Sequence, residues 1–131
     1  MVQASAKWVA EQKFDGHSSH RIIVDGNSHA GNSPMQLVLI ALCGCTASDV
    51  VTILQKKREP FTAVEVHAEA EKAADPPRVY TAIKLTYRVK GQVARKAVED
   101  AVRLSEQKYC SVAAMLNKTA KITYEIELDS K

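Results

Sequence analysis

Asn32-Ser33-Pro34-Met35-Gln36-Leu37-Val38-Leu39-Ile40-Ala41-Leu42-Cys43-Gly44-Cys45-Thr46-Ala47-Ser48-Asp49-Val50-Val51-Thr52-Ile53-Leu54 is the stretch on which the fold turns. It opens on a serine before a proline, the pattern of a helix cap followed by a first-turn proline. Lys56-Lys57-Arg58 suits the negative end of the dipole, and Pro60 closes the helix. The reading is one helix from Pro34 to Lys57 or Arg58. Residues 35 to 54 have the length of a membrane span, but Asp49 would sit inside the bilayer at roughly 2.5–3.5 kcal/mol near its centre. The unbroken apolar run is only Leu37 to Cys43, so the helix is read as buried within protein, with no membrane involved.

Its faces separate its cysteines. A helical residue advances about 100°, so Cys43 and Cys45 point roughly 200° apart and share neither a metal nor a disulfide with each other. Leu39, Ile40, Ala47, Val50, Val51 and Leu54 surround Cys43, which reads as a small core residue. Around Cys45 lie Val38, Ala41, Leu42, Ser48, Asp49 and Thr52, a mixed face. Asp49 one turn on raises a thiol's pKa, so an active Cys45 requires a cation from elsewhere; Arg21, Arg78 and Arg88 are available. Apolar groups on both faces require cover on more than one side, and a second copy of the chain is the economical source. The expectation is a homodimer.

Outward from the helix, Lys7–Ala10 and Arg21–Val24 read as strands flanking a turn-rich Phe14–Ser19, a hairpin. Ala63–Ala70 and Ala82–Val89 alternate with period two and are joined through Asp75-Pro76-Pro77-Arg78, so they read as antiparallel neighbours. Val93 to Glu106 or Gln107 is helical, and a shorter helix carries Val112, Ala113 and Leu116. The last strand is Ile122–Leu128. The order gives an α+β fold with a mainly antiparallel sheet. Cys110 sits at the break between the two helical pieces, where a thiolate gains from a helix start. Cys45 and Cys110 together read as a candidate redox pair.

Composition narrows the function. The 131 residues are 46% hydrophobic and 25% charged, ordinary for one globular domain. A net charge of +3 is too weak for a strongly electrostatic nucleic-acid binder. Lys7, Glu11 and Lys13 interrupt any leader-like apolar stretch, and the expected location is the cytoplasm. His17, His20 and His29 lie in turn-rich sequence and read as solvated, so no metal and no bound cofactor is expected.

Ser33-Pro34-Met35-Gln36-Leu37, Gly44-Cys45 ten residues after Met35, and Glu106-Gln107-Lys108-Tyr109-Cys110-Ser111-Val112 resemble the OsmC/Ohr family of osmotically inducible and organic-hydroperoxide-resistance proteins. Asp25-Gly26-Asn27-Ser28 and Cys45-Thr46-Ala47-Ser48-Asp49-Val50-Val51 resemble its YhfA-like branch. The resemblance covers nearly the whole chain, as a single OsmC-like domain. It implies an intertwined homodimer in which two long central helices lie between antiparallel sheets. It also implies cysteine-based peroxidase chemistry on organic hydroperoxides. Cys45 would be the peroxidatic thiol, passing through a sulfenic acid, and Cys110 the resolving one, forming a disulfide with it. An external dithiol of the dihydrolipoyl type, on a protein or a small thiol, would reduce that disulfide. Active members pair an N-terminal arginine with a glutamate at the start of the central helix. Here Arg21 lies in the arginine's region, while Met35 and then the neutral Gln36 follow Pro34.

Overall fold

A computed structural model describes all residues, Met1–Lys131. It divides into two compact units, Met1–Ile40 and Ala41–Lys131, with the long helix running from one into the other.

The first unit is a three-stranded antiparallel meander of β1 (Ser5–Ala10), β2 (Lys13–His17) and β3 (Arg21–Asp25). The segment read as a hairpin turn is itself the middle strand. Its glycine is there for close approach: Gly16 pairs with Ile22, and a Cβ would stand 3.1 Å from the Ile22 carbonyl oxygen. Every residue of β1 is exposed, including Trp8 and Val9. At the end of β3, the buried Asp25 accepts backbone N–H bonds from Asn27 (2.8 Å) and Ala30 (3.0 Å) and organises the loop before the helix. Those bonds, from Ala30 and then Asn27, hold its carboxyl below the usual carboxylate range.

Helix α1 (Pro34–Lys56) begins with a reciprocal capping box. The Gln36 N–H donates to Ser33 Oγ (3.2 Å), and the Ser33 N–H donates to Gln36 Oε1 (2.8 Å). At the far end Arg58 adopts a left-handed conformation (φ 58°). Glu59 N–H bonds the Leu54 carbonyl and Arg58 N–H that of Gln55, a Schellman closure made without glycine.

The second unit continues α1 into β4 (Phe61–Lys72), β5 (Tyr80–Gly91), α2 (Arg95–Leu104), a π turn (Ser105–Tyr109), α3 (Ser111–Leu116) and β6 (Lys121–Asp129). β4 and β5 pair antiparallel, as their alternation implies. β6 pairs parallel to β5, so this sheet is mixed, while strand pairing in the molecule is mainly antiparallel. The cause of the parallel pair is the helical passage through α2 and α3, which returns the chain to the end of the sheet where β5 began. β5 is central and carries the core: Ile83, Leu85, Tyr87 and Val89 are buried with Val98, Ala101 and Val102 of α2. From α1 the buried set is Leu42, Thr46, Val50 and Leu54, one stripe at a spacing of four.

Candidate active site

Two elements of the second unit bring the chemistry together. Cys45 rides on α1 beside the buried stripe; Cys110 ends the π turn and caps α3. The π turn is closed by Cys110 N–H to the Ser105 carbonyl (2.9 Å), a five-residue step that turns Ser105 and Cys110 alike toward α1. The Sγ atoms of Cys45 and Cys110 and a carboxylate oxygen of Asp49 all lie within 4.8 Å of one another. The pair expected from sequence therefore meets. Cys43 is absent from this cluster; its thiol is half-buried in a single chain, with its pKa raised by that burial, rather than a core residue.

Cys110 is buried, and its Sγ accepts the Ala113 N–H at 3.3 Å. Burial, a hydrogen bond with Cys45, and the charges of Cys45 and Asp49 push its thiol well above the ordinary range, against the weaker pull of Ala113. Cys110 therefore rests as a neutral thiol.

Behind the thiols runs a line of hydroxyls that sequence reading did not assemble. Glu106 Oε1 meets Tyr87 OH at 2.5 Å, Tyr87 OH meets Thr46 Oγ1 at 2.6 Å, and Thr46 Oγ1 meets Ser105 Oγ at 2.8 Å. Ser105 Oγ then meets Asp49 Oδ2 at 2.8 Å. Thr46 and Ser105 are fully buried, and Tyr87 packs edge-on against Tyr124 with ring centroids 6.0 Å apart. Burial raises the pKa of both Tyr87 and Glu106. The signal available in sequence was Thr46 itself, a polar residue in register with Leu42, Val50 and Leu54.

Beside Asp49 a cleft of about 330 Å³ is lined by Asp49, Thr52, Ile53, Lys56, Leu104 and Tyr109. Its walls are largely apolar, and Lys56 supplies a cation. Arg21, the other residue expected at the site, lies on β3 of the first unit, two-thirds exposed and ion-paired with Asp15. The histidines at 17, 20 and 29 are exposed, as read.

A family model described as "OsmC-like protein" matches residues 25–125. The chain is 45% identical to Protein YhfA of Escherichia coli K12 over 131 residues, covering 97% of this chain and 98% of that one. Among solved structures it is similar to a hypothetical protein from Aquifex aeolicus VF5, with 30% identity, a TM-score of 0.88 and 98% of each chain covered. It is also similar to the organic hydroperoxide resistance protein OhrB of Bacillus subtilis, with a TM-score of 0.65 over 97% of this chain and 98% of that one. Identity there is 12%, so this likeness concerns the fold alone.

Proposed function

Because this chain belongs to the OsmC-like family, we propose that it is a cytoplasmic, homodimeric thiol peroxidase that reduces organic hydroperoxides. The observation that carries the reading is the meeting of Cys45 and Cys110, 65 positions apart in sequence, within 4.8 Å. Cys45 attacks the peroxide O–O bond as a thiolate and becomes a sulfenic acid; an alcohol leaves. Cys110 then displaces water from that sulfenic acid and closes the disulfide. Its raised pKa suits the second role, since a neutral thiol waits until its partner is oxidised. The apolar cleft beside Asp49 suits an alkyl substituent, and an external dithiol of the dihydrolipoyl type resets the pair. Arg21 is the candidate for the family's arginine.

Three features support the homodimer. All of β1 is exposed, with Trp8 at 63% and Val9 at 50%. α1 is apolar nearly throughout but buries only four residues. A Cβ on Gly44, at the middle of α1, would meet nothing within 4 Å, leaving room for a close helix from a second chain.

Cys45→Ser is expected to abolish consumption of an alkyl hydroperoxide, and Cys110→Ser to trap Cys45 as a sulfenic acid or mixed disulfide. A Cys45→Ser protein that consumes peroxide at the wild-type rate contradicts the mechanism. A second reading has one observation in its favour. Where the family's glutamate would fall, Met35 is uncharged and Gln36 is engaged in capping Ser33. On that reading the protein is a non-catalytic dimer that binds a small apolar ligand or senses thiol oxidation. It predicts oxidation without turnover, so steady-state turnover with a dithiol decides between them.

A further inference from the structure

The line of hydroxyls behind the dithiol is one proton short of what its bonds require. Glu106, Tyr87, Thr46, Ser105 and Asp49 are joined by four oxygen–oxygen links of 2.5 to 2.8 Å, and each link needs one hydrogen. Tyr87, Thr46 and Ser105 bring one hydroxyl hydrogen apiece. With both carboxylates ionised, Tyr87 donates to Glu106 and Ser105 to Asp49. Thr46 then donates to one neighbour and faces the other, at 2.6 or 2.8 Å, lone pair to lone pair. A fourth hydrogen removes the conflict, and the carboxyl groups at the two ends are its places. If Glu106 holds it, every hydroxyl donates toward Asp49; if Asp49 holds it, every hydroxyl donates toward Glu106.

We propose that these five residues form a one-proton relay joining the dithiol to solvent, with Asp49 as the catalytic acid–base group at the sulfur end and Glu106 as the outer terminus. The geometry supplies both ends. A carboxylate oxygen of Asp49 lies within 4.8 Å of both Sγ atoms, whereas Glu106 is part-exposed. Burial of Glu106 favours its protonated form, and a proton there directs every hydroxyl of the resting chain toward Asp49. The charged and titratable groups around the sulfur end are Cys45, Cys110, and Lys56 and Tyr109 of the adjoining cleft; Tyr87 faces Glu106, with Tyr124 against its ring.

The relay rests on the peroxidase reading for its chemistry, and its steps balance. The Cys45 thiol passes its proton to Asp49, and the thiolate attacks the hydroperoxide. The O–O bond breaks, the S–O bond forms, and the departing alkoxide takes a proton from Asp49 to leave as an alcohol. In the second step Cys110 gives its proton to Asp49, its sulfur bonds Cys45, and the displaced hydroxide leaves as water with that proton. Whenever Asp49 holds a proton, Glu106 can release its own to solvent as the three hydroxyls reverse; the return shift recharges it.

The test is a titration of Glu106 in the reduced protein by carboxyl-¹³C NMR, with Glu106→Gln assigning the resonance. Ser105→Ala and Thr46→Val each leave two links and two hydroxyl hydrogens, so neither needs a carboxyl proton. The relay predicts that the Glu106 midpoint falls by about one pH unit or more in each. Neither side chain is hydrogen-bonded to the Glu106 carboxyl, although Ser105 precedes it in the chain, so burial of Glu106 alone predicts no change, and an unchanged midpoint in either variant overturns the relay. Single-turnover oxidation by an alkyl hydroperoxide provides the second arm. Asp49→Asn is expected to slow it about tenfold or more across the pH range, consistent with the typical size of acid–base assistance. An Asp49→Asn protein that matches wild type removes Asp49 from the chemistry. A wild-type protein inert to peroxide sinks the peroxidase reading, and the titration still decides whether the proton is shared.

Discussion

The two sheets of this molecule are both built from strands with exposed or buried apolar side chains and come to different ends. β5 lies between two partners and buries Ile83, Leu85, Tyr87 and Val89, so the second unit closes a core of its own. β1 carries Trp8 and Val9 and buries nothing. Sequence thus says that a strand carries apolar side chains but not what covers them. The unit that completes its core within one chain is also the unit that holds the thiols and the hydroxyl chain. The unit that does not is the one a second copy is proposed to complete.

That contrast is breakable by mutation. The largest loss is expected from Leu85→Ala, about 2–5 kcal/mol from vanished contacts and the cavity left behind. Urea unfolding should show it equally at low and high protein concentration. Trp8→Ala is expected to leave dilute protein little changed and to fall further short of wild type as concentration rises, because a second copy is proposed as its partner surface. If Trp8→Ala behaves like Leu85→Ala, with no dependence on concentration, the contrast is lost.

Next in size is Tyr87→Phe, which strips a partner from both Thr46 and Glu106 while keeping the ring against Tyr124. Loss of about 1–3 kcal/mol is expected, measured by the same denaturation. Arg58→Gly should be mildly stabilising, by up to about 1 kcal/mol, since glycine takes the left-handed helix closure without a Cβ penalty. A destabilised Arg58→Gly would mean that the arginine side chain contributes more than its backbone costs.

Acid and alkali should distinguish the units by sign. Asp25 in the first unit is held below its ordinary value of 3.8, so its contribution is complete above that value and is lost as pH falls through the folded one. Cys110 in the second unit is held above its ordinary value of 9.0, so stability is intact below that value and declines as pH rises toward the folded one. Asp25→Asn should flatten the acid limb of the stability profile, and Cys110→Ser the alkaline limb. Exchanged or unaffected limbs would contradict the assignment.

Much of this was legible along the chain because it is periodic. The bounds of α1, the alternation of β4, β5 and β6, and the break at Cys110 follow from spacing and from caps such as Ser33. β2 escaped because Asp15-Gly16 carries the composition of a turn, whereas the glycine serves close approach to Ile22. The direction of β6 escaped because alternation is the same read either way. The cysteine pair was legible only through the contexts of Cys45 and Cys110 taken together. The hydroxyl chain was legible only at Thr46, a polar residue in the buried stripe of α1: Thr46 lies 41 positions from Tyr87 and 59 from Ser105, and no local pattern links them.

The most direct test of the central claim is single-turnover oxidation of the fully reduced protein. One equivalent of an alkyl hydroperoxide, and separately of hydrogen peroxide, would be followed by mass mapping of Cys43, Cys45 and Cys110. Fast, alkyl-selective formation of a Cys45–Cys110 disulfide, with Cys43 still free, is the predicted result. Slow or unselective oxidation, or a disulfide that includes Cys43, would contradict it.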